Sequence, residues 1–226
     1  MKKLTRNETA QFLRDRDHYV ILTHRRPDGD TLGSAAALCR LLRSIGKTAH
    51  VLHNPEAFPR LGWLVDDLSK AEPEEGDCLI CVDVASDDML PKAFKPYADS
   101  ITLRIDHHGA STSFTELELV EPGYASCAEI VYDLAVEMGV ALDRCLAEAI
   151  YVGASTDTGC FRFANTTGHT LRTAAACVDA GARTYVLNQD LFETNTLARL
   201  KIQAWMIDHL KLMKEGTLAL AVIPRS

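Results

Sequence analysis

Aspartate and histidine side chains form four short groups along this chain of 226 residues. The groups are His24 with Asp28 and Asp30; Asp83; Asp106 with His107 and His108; and Asp157. Carboxylate oxygens and imidazole nitrogens without thiolate suit Mn²⁺ or Mg²⁺ better than structural zinc. Clustered carboxylates repel one another, so bringing them together is costly unless cations neutralise them. If the groups meet in the fold, they predict a divalent-cation centre.

The spacing within the groups favours two ions over one. The turn Asp28–Gly29–Asp30 can direct two carboxylates to two different ions, because its glycine permits a tight backbone. Asp83 has no acidic neighbour before Asp87, and a role between the two ions would explain its placement. Two ions about 3.5–4 Å apart are the usual apparatus for in-line displacement at phosphorus. The pattern therefore predicts hydrolysis of a phosphate ester by metal-assisted water attack.

The elements that must position these groups follow from the apolar periodicity of the chain. Strands are predicted at 19–23, 49–53, 78–84 and 101–105, and helices at 32–45, 126–138, 142–152 and 170–180. Continuous apolar strands separated by helices predict an α/β fold, in which a parallel β-sheet is covered by helices on both faces. Chemistry in such sheets gathers at the carboxyl ends of the strands. We expect all four groups to lie just where predicted strands end.

The C-terminal stretch has a different pattern from the rest of the chain. Residues 191–214 are predicted to form one long helix, and residues 218–223 a single strand after Gly216. One helix and one strand cannot bury a core of their own. We therefore expect a catalytic domain at 1–188, followed at 189–226 by a linker helix and the first strand of an otherwise absent second domain.

Composition narrows the class of protein. Lys and Arg total 24 against 31 Asp and Glu, so the formal net charge is −7, which does not attract duplex nucleic acid by bulk charge. No apolar run approaches the roughly 20 residues of a membrane-spanning helix, and the N-terminus lacks an apolar signal core. We expect a cytoplasmic protein with no membrane partner and with its seven cysteines reduced.

The motifs together resemble the DHH-family phosphoesterases. This group contains RecJ-type exonucleases, family II inorganic pyrophosphatases, cyclic dinucleotide phosphodiesterases and nanoRNases. The likeness spans residues from about 18 to 165 and is carried by His24-x-x-Pro27-Asp28-Gly29-Asp30-x-x-Gly33-Ser34, Asp83, Asp106–His107–His108 and Asp157–Thr158–Gly159. The segment from Asp157 to Thr166 is similar to the bifunctional oligoribonuclease and pAp phosphatase branch.

The resemblance implies a role for each site residue. One ion would be held by His24, Asp28 and Asp83, and the other by Asp30, Asp83, His107 and Asp157. His108 would face the substrate phosphate as a catalytic residue, and Asp106 would orient a histidine. Arg162, on the segment after Asp157, is a further catalytic candidate that could contact phosphate.

The implied activity is hydrolysis of short oligonucleotides or 3′-phosphoadenosine 5′-phosphate (pAp), with two Mn²⁺ ions as cofactor and Mg²⁺ possible. Two alternatives stay open: a pyrophosphatase or cyclic dinucleotide phosphodiesterase with the same centre, and a weakly active metal-binding remnant or regulatory subunit. Most relatives carry a second domain, DHHA1, with a G-G-G-H signature, and this sequence contains no Gly-Gly pair. A homodimer through the C-terminal helix and strand is a related expectation.

Overall fold

The computed structural model describes residues 1–223, and it divides the chain into two compact units. The first unit is Met1–Leu187, and the second begins at Asn188. Every Asp and His of the four groups belongs to the first unit. None of the helices in residues 1–223 combines the length and the hydrophobicity that a transmembrane span requires.

A seven-stranded parallel sheet forms the centre of the first unit. Its strands are β1 (Lys2–Lys3), β2 (Tyr19–Leu22), β3 (Ala49–Leu52), β4 (Ser69–Lys70), β5 (Cys78–Val82), β6 (Ile101–Asp106) and β7 (Leu117–Val120). Their order across the sheet is β1-β7-β6-β5-β2-β3-β4. The predicted α/β fold is confirmed, and the four predicted strands correspond to β2, β3, β5 and β6.

Every residue of β2 and β5 is buried, so both faces of the sheet are covered. Helices and short helical turns provide this cover. The α-helices are α1 (Arg6–Asp15), α2 (Gly29–Ser44), α3 (Cys127–Glu137), α4 (Arg144–Asp157), α5 (Gly168–Asp179) and α6 (Thr184–Asn188). One core cluster joins Val20, Leu22 and Cys81 to Leu90 and Phe94, which lie on and beside the 3₁₀ segments Asp87–Met89 and Lys92–Ser100.

Helices α2 and α4 approach each other closely at two glycines. A Cβ atom on Gly33 would lie 2.6 Å from the carbonyl oxygen of Ala149 and 2.9 Å from the backbone nitrogen of Gly153. A Cβ atom on Gly153 would lie 2.7 Å from Oδ1 of Asp30. The absence of side chains at these two positions therefore lets the two helices meet backbone to backbone.

The second unit differs from the prediction of one helix and one strand. After a π-helical turn (Gln189–Glu193), α7 covers Leu197–Asp208, and β8 (Lys211–Met213) pairs antiparallel with β9 (Leu218–Leu220). The predicted long helix therefore ends at Asp208, and the predicted strand is the second half of a hairpin. Lys214, Glu215 and Gly216 all have positive φ, which turns the chain back on itself. Residues 224–226, the end of the predicted segment 189–226, lie outside the described residues.

Candidate metal centre

The Asp and His groups meet at one edge of the sheet, at the carboxyl ends of three neighbouring strands, β2, β5 and β6. His24 follows β2, Asp28 caps α2 and Asp30 lies in its first turn, Asp83 directly follows β5, Asp106 ends β6, and His107 and His108 come next. Since the strands are parallel and adjacent, their ends bring together residues that are far apart in sequence.

Asp157 reaches the same place by a route that the sequence analysis did not predict. It is the last residue of helix α4 and does not follow a strand. The helix predicted at 142–152 is too short, because Gly153 and the hydroxyl residues after it are typical of a loop. Thr156 Oγ1 donates to the carbonyl of Val152 at 2.8 Å within the continuing helix. The close contact of α4 with α2 then directs its C-terminal end towards Asp30.

His107 lies at the centre of three carboxylates. Its Nε2 atom is 3.3 Å from Asp157 Oδ2, 3.5 Å from Asp83 Oδ1 and 3.7 Å from Asp30 Oδ2. The donor atoms of Asp30, His107 and Asp157 all lie within 4.8 Å of one another, a spacing that can hold one metal ion.

A second group lies on the other side of Asp83. His24 Nε2 is 3.7 Å from Asp83 Oδ2 and 3.9 Å from Asp28 Oδ1, and these donor atoms also lie within 4.8 Å of one another. The two oxygens of Asp83 therefore face different histidines, Oδ1 towards His107 and Oδ2 towards His24. One carboxylate stands between two groups that could each hold a cation.

Both histidines are oriented to offer Nε2 as a ligand. Nδ1 of His24 is 2.7 Å from the carbonyl oxygen of Arg25, and Nδ1 of His107 is 3.2 Å from that of Tyr124. A carbonyl oxygen only accepts, so Nδ1 carries a proton in each contact. In the neutral ring Nε2 then carries the lone pair that faces the carboxylates, which is the arrangement common to metal-ligating histidines.

The carboxylates at this site lie close together, and their mutual repulsion and burial shift the pKa values of the groups there. Burial, followed by the Asp83 and Asp157 carboxylates, raises the pKa of Asp30 well above its ordinary value. Burial and the Asp83 carboxylate raise the pKa of Asp157 to about 6. Burial lowers the pKa of His107, but the Asp83 carboxylate 3.5 Å away and the Asp30 carboxylate outweigh burial and raise the pKa to about 10. Carboxylates held this close favour a cation among them.

Asp30 is fixed by the start of α3. Its Oδ2 accepts from the backbone nitrogen of Cys127 at 2.6 Å, and its Oδ1 accepts from Ala128 at 2.9 Å and from Ser34 Oγ at 3.2 Å. Amide groups at a helix N-terminus stabilise a negative charge. The bonds therefore hold this fully buried carboxylate in one orientation.

Asp83 adopts an unusual backbone conformation. Its φ of +57° lies in the left-handed region, which is sparsely occupied by residues with a side chain. The backbone nitrogen of Asp83 donates to Ile105 at 2.9 Å, and Thr31 Oγ1 donates to its Oδ2 at 2.6 Å. These bonds hold the carboxylate between the two histidines despite the backbone strain, as is common at functional sites.

Two buried atoms test whether the residues fit metal ions. Among the described residues, Asp83 Oδ1 and His107 Nε2 have no hydrogen-bond partner, although both are shielded from solvent. Buried polar atoms are normally satisfied, so an orphaned pair only 3.5 Å apart requires an explanation. A divalent cation bound by both atoms provides one, and the oxygen and nitrogen donors suit it.

Asp106 holds His108 with its ring nitrogen Nε2 turned away from the carboxylate. Asp106 Oδ1 accepts from the backbone nitrogens of His107 and His108, at 2.9 and 3.2 Å, and lies 2.8 Å from His108 Nδ1. This last contact raises the pKa of His108. The His108 side chain is 39% exposed, so it is accessible to a substrate.

A family model described as "DHH family, N-terminal domain" matches residues 18–154, which include three of the four Asp and His groups. The chain belongs to the DHH family. The resemblance found in the sequence is therefore confirmed, and the Asp106–His107–His108 segment that carried it lies at the centre of the observed site.

Curated relatives of this DHH protein share a common description. It is 35% identical over 167 residues to the bifunctional oligoribonuclease and PAP phosphatase NrnA of Thermus thermophilus, covering 72% of this chain and 50% of that protein. It is 29% identical over 205 residues to NrnA of Bacillus subtilis, covering 88% and 64%. The chain thus spans about half to two thirds of the length of these relatives.

A solved structure supports the fold of this DHH protein. An exopolyphosphatase-related protein from Bacteroides fragilis superposes with a TM-score of 0.85 at 23% sequence identity, covering 96% of this chain and 68% of that one. At this level of identity the likeness shows a shared fold.

Arg104 is a site residue that the sequence analysis missed. It is 1% exposed, and its guanidinium lies 3.3 Å from Asp106 Oδ2 and 3.3 Å from Glu118 Oε1. It also donates to the carbonyls of Val84 and Ala85, at 3.3 and 3.0 Å. One side chain thus joins the loop after Asp83 to the carboxylate that holds His108. The sequence does contain a signal for this role: Arg104 is a lone positive charge inside an apolar strand, and a buried charge requires a buried partner.

Arg162 is less closely tied to the site than the metal-ligand candidates. Its Nε donates to the carbonyl of Gly159 at 2.6 Å, and the side chain is exposed. Among residues 1–223, no ion pair joins it to Asp157 or to the other ligand groups. It lies on a loop in which Gly159, Cys160 and Phe161 all have positive φ. Its role as a phosphate contact is a prediction.

Proposed function

We propose that this DHH protein is a metal-dependent phosphoesterase that hydrolyses short oligonucleotides or pAp. The observation that carries the proposal is the position of Asp83, whose two oxygens face two separate His and Asp groups. The named activities of the relatives from Thermus thermophilus and Bacillus subtilis support this substrate class.

The proposed ligand sets follow the two groups. His24, Asp28 and Asp83 would hold one ion, and Asp30, Asp83, His107 and Asp157 would hold the other. We propose Mn²⁺, with Mg²⁺ as the alternative, because the donors are carboxylate oxygens and imidazole nitrogens without thiolate. When bound, such cations neutralise charge on the phosphoryl oxygens and make water a competent nucleophile near neutral pH.

Residues beyond the ligands would position and protonate the substrate. His108 has one ring nitrogen held by Asp106, so the other can donate a proton to the leaving oxygen. The raised pKa of His108 favours the protonated form that this role requires. The exposed Arg162, on the loop after Asp157, would contact a substrate phosphate.

We also propose that residues 1–188 are the catalytic domain and that residues from 189 onward lead into a second domain. All the proposed ligands belong to the first unit. The second unit exposes apolar side chains, among them Ile207 (72%), Leu212 (66%) and Val222 (68%), which supports homodimerisation through the C-terminal helix and strands. A monomer by light scattering at micromolar concentration would contradict the dimer.

A substrate panel tests the proposal. The protein with Mn²⁺ is given pAp, a dinucleotide, a cyclic dinucleotide and pyrophosphate side by side, with Asp83→Ala as the inactive control. Turnover of pAp or the dinucleotide that is abolished in the variant supports the proposal. Rapid pyrophosphate turnover with inert oligonucleotides would favour the alternative substrates, and Mn²⁺ binding without any turnover would favour a regulatory remnant.

A further inference from the structure

A cavity of about 200 Å³ lies at the carboxyl ends of β2 and β3. We call it the β3 cavity; its lining residues include Thr23, Leu52, Asn54, Phe58, Val65 and Asp66. Thr23 directly precedes His24, and Asn54 Nδ2 donates at 2.9 Å both to Thr23 Oγ1 and to the backbone oxygen of His24. The cavity therefore shares a wall with the proposed metal-ligand loop.

The walls of the β3 cavity suit a flat, uncharged group. Leu52 and Val65 are buried apolar residues on its inner side, while Phe58 lines it with a ring that is 57% exposed. An exposed aromatic ring offers a face on which a nucleobase can stack. In the described part of the chain, no lysine or arginine lines the cavity, and His53 is the one lining side chain that can carry a positive charge.

Asp66 adds an acceptor at the same cavity. Its carboxylate lies over Gly62, where an added Cβ would be 3.1 Å from Asp66 Oδ1. A carboxylate accepts hydrogen bonds from exocyclic amino groups, such as that of cytosine, and does not attract carbonyl oxygens. The volume is below the roughly 300–1,000 Å³ of sites for whole drug-sized ligands, so it fits one part of a nucleotide.

We propose that the β3 cavity binds the nucleobase of the nucleoside next to the scissile phosphate. Phe58 stacks on the base, and Asp66 favours bases that carry an amino group. The reacting phosphate then lies on the His24 side, towards the metal centre. This inference rests on the proposed phosphoesterase function, and it names the part of the chain that recognises the nucleoside.

Binding can be measured without catalysis. We would record saturation-transfer NMR spectra of adenosine 5′-monophosphate with the metal-free protein, with Phe58→Ala and with Trp63→Ala. Trp63 is a matched control, because it is 41% exposed on the 3₁₀ helix Pro59–Leu64 but lines an adjoining cavity, on the other side of Asp66, with Arg40 and Arg183. Transfer to the adenine protons that persists in Trp63→Ala and disappears in Phe58→Ala supports the inference. Equal transfer in Phe58→Ala, or none in the unaltered protein, overturns it.

Kinetics with Mn²⁺ separates this inference from the proposed function. For a diadenylate, Phe58→Ala should raise KM about tenfold, as expected for one lost base–aromatic stack, with kcat changed less. The same substrate made abasic next to the scissile phosphate should show no such change. Asp66→Ala should reduce the preference for dicytidylate over diuridylate.

The two proposals fail in different ways. If the unaltered protein hydrolyses the diadenylate but Phe58→Ala does not change its KM, the cavity inference is wrong and the phosphoesterase stands. If the unaltered protein turns over no substrate but still shows NMR transfer that depends on Phe58, the phosphoesterase proposal is wrong and the cavity still binds a nucleobase.

Discussion

The contact between α2 and α4 predicts that Gly33→Ala weakens metal binding at a distance. The new Cβ would lie 2.6 Å from the Ala149 carbonyl oxygen, and an ordinary contact begins near 3.4 Å, so the helices must separate by about 0.8 Å. This oxygen and the Gly153 nitrogen, 2.9 Å from the new Cβ, are backbone atoms, which cannot rotate away as a side chain can. Asp28 caps helix α2, Asp30 lies in its first turn, and Asp157 is the last residue of α4.

Two opposing effects determine how much Gly33→Ala changes the free energy of unfolding. Overpacking costs about 1–3 kcal/mol, and replacing a helical glycine by alanine returns up to about 1 kcal/mol. Because the opposing atoms are rigid backbone, the cost of overpacking lies at the upper end of its range, and we expect Gly33→Ala to lower the free energy of unfolding by about 2 kcal/mol. Metal–ligand distances tolerate only about 0.2 Å, so a shift of this size should weaken Mn²⁺ binding about tenfold or more.

Two measurements on the same samples check this prediction. Urea unfolding followed by circular dichroism gives the free energy of unfolding, and titration calorimetry gives the Mn²⁺ affinity. Gly123→Ala is the control, because a Cβ there meets nothing within 4 Å and should leave Mn²⁺ binding unchanged. Unaltered stability together with unaltered Mn²⁺ affinity in Gly33→Ala would refute the helix–helix argument.

Three other predictions concern the buried charges and the metal ions. Arg104→Met should destabilise the protein by about 3–5 kcal/mol, because it leaves Asp106 and Glu118 buried without a cation. Thermal and urea unfolding measure this loss, and a change below about 1 kcal/mol would contradict the prediction. Mn²⁺ binding near pH 7 should release protons, because the pKa of His107 is raised to about 10 in the metal-free protein and a ligating Nε2 must lose its proton. The affinity for Mn²⁺ should therefore rise with pH. Calorimetry in buffers of different ionisation enthalpy counts those protons, and a count of zero would speak against His107 as a ligand. Mn²⁺ at about 100 times its dissociation constant should add about 2.7 kcal/mol of stability, and EDTA should remove it; a melting temperature unaffected by either would argue against a metal site.

The sequence was sufficient to predict the fold class and the convergence of the Asp and His groups that follow strands. Strands β2 and β5 are continuous apolar runs, a pattern typical of buried parallel strands; Asp83 directly follows β5, and His24 comes two residues after the end of β2. Because parallel strands end at one edge, their convergence could be predicted without coordinates.

The parts that the sequence did not reveal depend on tertiary packing. Asp157 arrives on a helix, and only the glycine contact of α4 with α2 brings it to the site. Strand β7 was missed because Glu118 interrupts its apolar pattern, and that charge is explained only by Arg104 on the neighbouring strand. The C-terminal hairpin was missed because its turn depends on left-handed backbone at Lys214 and Glu215.

Anomalous diffraction at the manganese absorption edge, on crystals grown with Mn²⁺, tests the shared role of Asp83 most directly. We expect two peaks about 3.5–4 Å apart, with one Asp83 oxygen or both between them, His24 beside one peak and His107 beside the other. A single peak, or two peaks of which only one contacts Asp83, would contradict the two-ion centre.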